Sequence, residues 1–172
     1  FDGDYTITLG STLTIDKKLT IDGSGHSIIL HGNDKVRILH IPSTGDLSLN
    51  SVTIRNGYAE CPEEVSLKVA KPSQALLKAQ IEFCSDNGGG IFNAGNVSIT
   101  NSTFLYNHAK SYGGAIYNEG TITTISDTTF STNEAGYGGA IYDEGGTITT
   151  ISKSTFSGNY SYADGGAIYI YN

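Results

Sequence analysis

Gly113-Gly114-Ala115-Ile116-Tyr117 is repeated at residues 138–142 and again at 165–169. An altered copy, Gly89-Gly90-Ile91-Phe92, precedes these three. Between the copies a second motif, Phe-x-x-Asn, recurs every 26 residues. A fixed period of this length is typical of solenoids, in which each repeat forms one coil and buries its apolar face against the neighbouring coils. The motif therefore predicts a stacked repeat architecture.

The residues within one repeat favour strands over helices. The segment 147–151, Thr-Ile-Thr-Thr-Ile, alternates apolar with hydroxylated residues, and short runs of this kind are separated by Gly, Asn, Asp and Ser. A repeat of about 25 residues holds about three strands and three turns, which is one coil of a parallel β-helix. A propeller blade is excluded because it is longer, at about 40 residues, and a leucine-rich repeat is excluded because its Leu/Asn pattern is missing from this sequence. We predict an all-β fold, a right-handed single-stranded parallel β-helix of about six coils, forming one domain over residues 1–172.

Stacking assigns structural positions to the repeated residues. Three columns are expected inside the solenoid, with the members Ile116, Ile141 and Ile168; Phe104, Phe130 and Phe156; and Asn107, Asn133 and Asn159. An inward Asn can bond a turn amide and the Asn of the next coil, which satisfies polar groups that would otherwise be buried unpaired. Residues 50–56 match 101–107 in spacing, so Asn56 is predicted to head the Asn ladder.

An insertion at residues 57–87 interrupts the pattern. Within it, residues 72–83 are predicted to form a helix, with Ser73 as the N-cap and an apolar pair at Leu77 and Ile81. Cys61 and Cys84 bracket the segment. A disulfide between them would close the insertion and stabilise the protein by about 3 kcal/mol, and two buried free thiols are the alternative. A disulfide implies an oxidising compartment and hence export.

Charge and composition exclude two classes of protein. Lys and Arg total 10 against 17 Asp and Glu, and the formal net charge is -7. Such a chain, with only Arg37 and Arg55 as arginines, is not expected to bind nucleic acid. No apolar run approaches the roughly 18 residues of a membrane span. The sequence begins at Phe1 without Met, which indicates a removed leader or a piece of a longer chain. We predict a secreted or cell-surface protein without a cofactor.

The ends of the chain predict further stacking. Both enter a strand pattern without a capping helix, and terminal coils of a solenoid expose unpaired strand edges. The edge residues are Tyr5, Ile7, Ile168 and Ile170. Either further coils of the same parent chain continue the solenoid, or the end of one copy docks on the start of the next. The second arrangement is a head-to-tail contact that generates open fibres.

The GGAI and FxxN motifs, which occur in phase, resemble the repeats of the chlamydial polymorphic outer-membrane proteins and of related bacterial surface proteins with right-handed β-helix repeats. In this sequence they are Gly113 to Ile116, Gly138 to Ile141 and Gly165 to Ile168, with Phe104/Asn107, Phe130/Asn133 and Phe156/Asn159. The resemblance covers about residues 88–172. It implies a non-enzymatic surface protein used for adhesion or self-association. The insertion at 57–87 is not part of that repeat.

A polysaccharide lyase or hydrolase is the enzymatic alternative, because such enzymes also use this fold. Their chemistry needs clustered carboxylates. The candidates are Glu119 and Glu144, with Asn118 and Asp143 beside them, all in equivalent turns where acids are usually solvated. No catalytic residue is predicted from them. His26, His31 and His40 lack the spacing of a metal set, so no metal site is predicted.

Glycan binding is a further alternative. Four aromatic residues, each following an inward Ile, are expected to point outward and stack as a candidate glycan-contact ladder: Phe92, Tyr117, Tyr142 and Tyr169. Tyr112 and Tyr137 are expected to add a second column. Aromatic rows hold sugar rings, and they also stabilise sheets by cross-strand pairing. The Thr-x-Thr pairs at 121–123 and 147–149 resemble ice-binding rows, interrupted at Asn96-Val97-Ser98. Candidate N-glycosylation sequons begin at Asn96, Asn101 and Asn159.

Overall fold

The computed structural model describes residues 1–61 and 85–171, and they form short strands arranged in successive coils. The first coil contains β1 (Tyr5–Thr8), β2 (Leu13–Thr14) and β3 (Lys18–Asp22), and the second contains β4 (Ile28–His31), β5 (Leu39–Ile41) and β6 (Asp46–Asn50). The third contains β7 (Val52–Arg55), β8 (Tyr58–Ala59), β9 (Ile91–Asn93) and β10 (Asn96–Thr100). The fourth contains β11 (Thr103–Leu105), β12 (His108–Ala109), β13 (Ile116–Asn118) and β14 (Thr121–Ser126). The fifth contains β15 (Thr129–Ser131), β16 (Glu134–Ala135), β17 (Ile141–Glu144), β18 (Thr147–Ile148) and β19 (Ile151–Ser152), and the sixth contains β20 (Thr155–Ser157), β21 (Tyr160–Ser161) and β22 (Ile168–Tyr171).

Equivalent strands of successive coils pair in parallel and form four sheets. Sheet A has the order β1-β4-β7-β11-β15-β20, and sheet B has the order β2-β5-β9-β13-β17-β22. Sheet C has the order β3-β6-β10-β14-β18, with β19 also paired to β14, and sheet D has the order β8-β12-β16-β21. This arrangement confirms the predicted parallel β-solenoid of about six coils. The right-handed sense of the coil stays a prediction.

The interior is built from columns of identical or similar apolar residues. In sheet B, Leu39 pairs with Ile91, and Ile91, Ile116 and Ile141 follow one another in register. All of them are fully buried. The rings of Phe104, Phe130 and Phe156 stack at a centroid spacing of 4.8 Å in each pair, which equals the usual spacing of neighbouring strands. The predicted Ile and Phe columns are therefore confirmed.

The Asn ladder forms within the solenoid, but Asn56 does not head it. Asn107 Nδ2 donates to Asn133 Oδ1 and Asn133 Nδ2 donates to Asn159 Oδ1, each at 2.9 Å. The next group above is the backbone N–H of Gly57, which donates to Asn107 Oδ1 at 3.0 Å. Asn56 instead donates to Asp34 at the surface. The prediction was wrong by one residue because Ile54, and not Thr53, pairs with Phe104. The alternation of strand side chains requires the apolar Ile54 to face inward.

Two further polar ladders satisfy the other corners. Asn93 Nδ2 donates to Asn118 Oδ1 at 2.7 Å, and Asn118 Nδ2 donates to Asp143 Oδ1. All three side chains are buried. The sequence suggested that Asn118 and Asp143 are solvated turn residues. The structure shows that both are buried. Asp143 ends this ladder as an acceptor, a position that a carboxylate can fill without a proton.

The second of these ladders uses hydroxyl groups between sheets C and A. The hydroxyls of Ser102, Thr128 and Ser154 donate to the carbonyl two residues earlier in their own coil, at 2.7, 2.8 and 2.9 Å. Each also accepts a backbone N–H from the preceding coil. The repetition of Ser or Thr at this position satisfies backbone groups that the turn would otherwise leave unpaired.

The glycine pairs have two separate physical causes. The first glycine of each pair has a positive φ, 61° at Gly113 and 59° at Gly138, which a side chain would disfavour. At the second position, a Cβ on Gly114 would overlap the carbonyl oxygen of Gly139 in the next coil. The earlier copy follows the same register, with Gly88 at a φ of 63°. The pairs therefore allow both the corner and the close stacking of coils.

A second corner places non-glycine residues in the left-handed region. It follows the strands of sheet A, where Asn56, Tyr106 and Thr132 each have a φ of 54° and the equivalent Gly158 has a φ of 61°. Such a conformation is unfavourable for a β-branched residue such as Thr132. Stacking of the coils imposes the same bend on all of them.

Part of the predicted insertion lies outside the described residues. These exclude 62–84, so the predicted helix at 72–83 falls outside them, and no helix occurs within 1–61 and 85–171. The pairing of Cys61 with Cys84 stays a prediction, since Cys84 also lies outside. Residues 85–88 lie against Arg37, whose guanidinium donates to the carbonyl oxygens of Ser85, Asn87 and Gly88.

Candidate binding face on sheet B

The outer face of sheet B carries a continuous column of rings. His40, Phe92, Tyr117, Tyr142 and Tyr169 follow one another in register on successive strands. Their centroids lie 5.4, 4.9, 5.8 and 5.2 Å apart in that order. The structure thus brings together the four residues of the candidate ladder and adds His40. The sequence did not reveal His40 because the insertion separates it from the regular repeats.

Tyr112 and Tyr137 form the expected second column and cover the first. The ring of Tyr112 lies 4.5 Å from that of Tyr142, and the ring of Tyr137 lies 5.7 Å from that of Tyr169. As a result Tyr117 is 3% exposed and Tyr142 is 5% exposed, although both point away from the lumen. These two rings pack against other rings, and a ligand would reach the partly exposed Tyr112, Tyr137 and Tyr169 first.

Beside these rings lies a cleft of about 340 Å³. Its walls are the side chains of Tyr112, Tyr137, Tyr142, Tyr169, Tyr171 and Glu144. Its volume is at the lower end of the range of small-molecule sites. The lining combines ring surface with phenol and carboxylate oxygens, a mixture that can contact both faces and hydroxyls of a sugar.

Two carboxylates meet at one phenol between the columns. The Tyr117 hydroxyl lies 2.8 Å from Glu119 Oε1 and also contacts Glu144 Oε2. Burial raises the pKa of Tyr117, and the hydrogen bonds to Glu144 and Glu119 raise it further. Burial, followed by the charge of Glu144, raises the pKa of Tyr142 to about 12. Both phenols therefore stay protonated at neutral pH. The single Tyr117 proton serves one carboxylate at a time.

This arrangement brings Glu119 and Glu144 to the same phenol. The two carboxyl groups of a glycosidase flank the scissile bond, whereas both of these carboxylates contact the Tyr117 hydroxyl. The sequence predicted equivalent turns for the two acids, and it did not reveal that they share a phenol from the ladder.

The other end of the column is occupied by Arg37. Its guanidinium carbon lies 5.2 Å from the centroid of the Phe92 ring. Burial lowers the pKa of Arg37 to about 10, while the charge of Asp86 opposes this shift. The group stays charged at neutral pH. Burial also lowers the pKa of His40, and the charge of Arg37 lowers it further, while the charge of Glu119 acts in the opposite direction. His40 is therefore neutral at pH 7.

Arg37, His40 and Phe92 also line a cavity of about 330 Å³ near the first coil. The hydroxyl residues Ser11, Thr12 and Thr14 form part of its wall. The outer face of sheet B therefore has a cationic cavity near its N-terminal end and a tyrosine cleft near its C-terminal end, with the ring column between them.

The sequons differ in their surroundings. Asn96 and Asn101 are exposed. The amide nitrogen of Asn159 donates to the Phe130 carbonyl oxygen at 2.9 Å within the internal ladder. A glycan on Asn159 would require this bond to break, and a glycan on Asn101 would break the hydrogen bond that its amide nitrogen donates to Asn50 Oδ1 at 3.1 Å.

The predicted edge residues lie at the two ends of the solenoid. Tyr5 and Ile7 belong to the first coil and Ile168 and Ile170 to the last. Among the described strands, the first two residues pair with β4 alone and the last two with β17 alone. Ile7 is 38% exposed and Ile170 is 58% exposed. The equivalent positions in the inner coils are buried, because neighbours cover them on both sides.

Other kinds of site are absent from the part of the chain that the structure describes. No group of three or more His, Cys, Asp or Glu side chains is placed to hold a metal ion. No helix there has the length and hydropathy needed to cross a bilayer. The predicted Thr-x-Thr pairs begin in register, since Thr121 pairs with Thr147. The row is interrupted at β10, where a register shift pairs Ser98 with Thr124 and not with Thr123.

The fold defines a parallel β-solenoid whose outer face on sheet B is aromatic and partly charged. Within it, residues 101–119, 127–144 and 153–171 each match the sequence model of the Chlamydia polymorphic membrane protein repeat. The chain thus carries three copies of this repeat, which confirms the resemblance of the GGAI and FxxN motifs. Each copy spans the strands of sheets A, D and B in one coil. No curated protein and no solved structure matches the chain.

Proposed function

We propose that this protein is a non-catalytic structural and adhesive module of an extracellular surface. The observation that carries the proposal is the use of the repeated residues. The Ile, Phe and Asn side chains of each repeat pack or hydrogen-bond between one coil and the next. The polymorphic membrane protein repeats and the solenoid fold both fit a surface protein. An extended, acidic solenoid of this kind provides length and a regular outer face.

End-to-end stacking is the assembly that we propose. Apolar columns in sheets A and B end in an apolar residue at both ends of the solenoid. Ile7 and Phe156 end one column in sheet A, and Leu13 and Ile168 end one in sheet B. Translating a second copy along the axis would continue these columns, and the unpaired edge of β22 would meet that of β2. Such a contact is head-to-tail and yields an open fibre.

The test is the size of the native particle. In Ile168→Lys/Ile170→Lys, two charges enter the lumen side of β22, so we expect filaments to be replaced by short soluble particles. Tyr171→Lys is the control because it places a lysine on the outer side of the same strand. Electron microscopy and light scattering measure both variants.

Two outcomes would contradict this assembly. One is that the wild-type chain is monomeric at every concentration. The other is that the double variant forms filaments as long as those of the wild type. If the wild-type chain is monomeric, these edges are instead covered by further coils of the same parent chain.

Carbohydrate binding on sheet B is the second candidate function. It is supported by the tyrosine cleft, where partly exposed rings lie beside the Glu144 carboxylate. Tyr137→Ala/Tyr169→Ala should abolish signal on a glycan array while the circular dichroism of the solenoid is retained. Tyr106→Ala, at an exposed tyrosine outside sheet B, is the control. An array signal that is equal in both variants would exclude the cleft.

A further inference from the structure

We propose that the cavity at the N-terminal end of sheet B binds a sugar acid, with the anionic group held by Arg37 and the sugar hydroxyls held by the surrounding Ser and Thr residues. The proposal goes beyond the structural role of the solenoid. It depends neither on end-to-end stacking nor on the tyrosine cleft, which lies at the other end of the face.

The Arg37 guanidinium is fixed in one orientation. Nε donates to the carbonyl oxygens of Asn87 and Gly88 at 3.1 and 3.2 Å, and Nη2 donates to those of Ser85 and Asn87 at 2.7 and 2.8 Å. Within the described residues, no protein group accepts a hydrogen bond from Nη1. No side-chain nitrogen or oxygen among these residues is both buried and unpaired, so the unpaired Nη1 must be accessible to solvent. Because Arg37 lines the cavity, we infer that Nη1 can donate to a ligand there.

Such a group suits a carboxylate or a sulfate. A guanidinium that is already oriented loses little conformational entropy on binding, and its hydrogen bonds to an anionic oxygen are charge-assisted. Partial burial weakens the competition from water, which strengthens the interaction. The stacking of Arg37 on Phe92 keeps the plane of the group in place.

The remaining walls suit the rest of a sugar. The hydroxyls of Ser11, Thr12 and Thr14 can each donate and accept. His40, which is neutral at pH 7, offers one donor and one acceptor. Phe92 supplies an apolar surface. The volume of about 330 Å³ is sufficient for a small polar ligand.

The charges around the cavity limit the ligand to a modest negative charge. Asp86 acts on Arg37, and Glu119 acts on His40. Both would repel a multiply charged anion such as a polyphosphate. A single carboxylate or sulfate, carried on a neutral polyol, meets one cation and several hydroxyls.

Arg37 also anchors residues 85–88, so its replacement must be compared with a change that spares this contact. Thr14→Val removes one cavity hydroxyl from the exposed edge strand β2 and preserves its β-branched shape. Arg55→Gln is the matched arginine control, because Arg55 lies on sheet A and, among residues 1–61 and 85–171, its side chain donates to its neighbour Asn56.

The experiment is a titration followed by ¹H–¹⁵N spectra, including the Arg side-chain Nε–H signals. The probes are methyl glucuronide, glucose 6-sulfate and, as the neutral control, methyl glucoside. We expect methyl glucuronide to shift the Arg37 and His40 signals, and Arg37→Gln to weaken binding at least about tenfold. Thr14→Val should weaken it about fivefold, and Arg55→Gln should leave it unchanged.

The outcomes separate clearly. Binding of the glucuronide alone assigns the carboxylate, and binding of the sulfate as well assigns the anionic group in general; both support the proposal. Equal shifts with methyl glucoside, equal weakening by Arg55→Gln, or unchanged affinity in Thr14→Val would overturn it. The titration is run on the Ile168→Lys/Ile170→Lys variant, because stacking would bring β22 of a second copy against β2, the strand of Thr14. None of these results depends on Tyr137 and Tyr169.

Discussion

Asn133 lies at the centre of the internal Asn ladder, and its replacement tests how the solenoid is held together. Its side chain makes four hydrogen bonds: Nδ2 donates to the carbonyl of Phe104 and to Asn159, and Oδ1 accepts from the backbone and the side chain of Asn107. The residue is fully buried. We expect Asn133→Leu, which keeps the approximate volume, to lose all four bonds.

The magnitude follows from what each partner retains. Asn107 Nδ2 keeps the Ile54 carbonyl, and Asn159 Oδ1 keeps the Asn133 backbone N–H. The Asn107 N–H loses its acceptor, at a cost of about 2 kcal/mol, and the other three bonds contribute about 1 kcal/mol each. Burial of the leucine side chain offsets about 2 kcal/mol. The free energy of unfolding should therefore fall by about 3 kcal/mol, a large part of the typical stability of a domain.

Asn133→Asp should make the free energy of unfolding depend on pH. One carboxyl oxygen still accepts from Asn107, but the other must face the Phe104 carbonyl and Asn159 Oδ1, which are both acceptors. It can bond them only when protonated, so the folded pKa lies above the unfolded value of about 3.9. For an acid this shift means that stability is present at low pH and is lost as pH rises. The deficit relative to wild type should be larger at pH 7 than at pH 4.

Urea unfolding, followed by circular dichroism at both pH values, measures these effects. Asn96→Leu and Asn96→Asp are the controls, because Asn96 is exposed and should change stability by less than about 0.5 kcal/mol. If Asn133→Leu lies within 1 kcal/mol of wild type, or if the Asn133→Asp deficit does not vary with pH, the ladder does not carry the stability assigned to it.

Two other predictions concern the corner after sheet A and the ring column. Thr132→Gly relieves a β-branched residue at a φ of 54° and should stabilise the protein by about 1 kcal/mol, whereas Thr129→Gly, in strand β15, should destabilise it; equal signs in thermal unfolding would contradict the strain. The pKa of Tyr142 lies at about 12 in the folded state against an ordinary 10, so stability should fall as pH rises through this interval. Ultraviolet titration of wild type and Tyr142→Phe should show one phenol fewer titrating late in the variant.

The regular part of the fold was predictable from the chain because identical residues recur at one period. Ile116, Ile141 and the three Phe residues are apolar, equally spaced and repeated, so stacking them is the arrangement that buries all of them at once. The Asn column followed from the same spacing. Where the sequence of the repeat is less regular, the prediction was wrong by one residue. Matching residues 50–56 to 101–107 aligns Thr53 with Phe104, but Ile54 pairs with Phe104 in the structure.

The candidate site was predictable only in part. The outward ladder followed from the alternation of side chains along a strand. Its burial did not, because Tyr112 folds over Tyr142 from a neighbouring turn. Nor did the sequence show that Glu119 and Glu144 share the Tyr117 hydroxyl, since this contact depends on side-chain direction at a corner.

The sequence by itself determined the coil, its period and the residues that fill the lumen, because these are local properties repeated along the chain. The tertiary structure decided what lies on sheet B. His40 meets Phe92 across 52 positions, and Arg37 meets the end of the insertion, at Asn87, across 50. Such contacts depend on the register between coils of different sequence and on how the insertion returns. Neither is encoded in a repeating pattern.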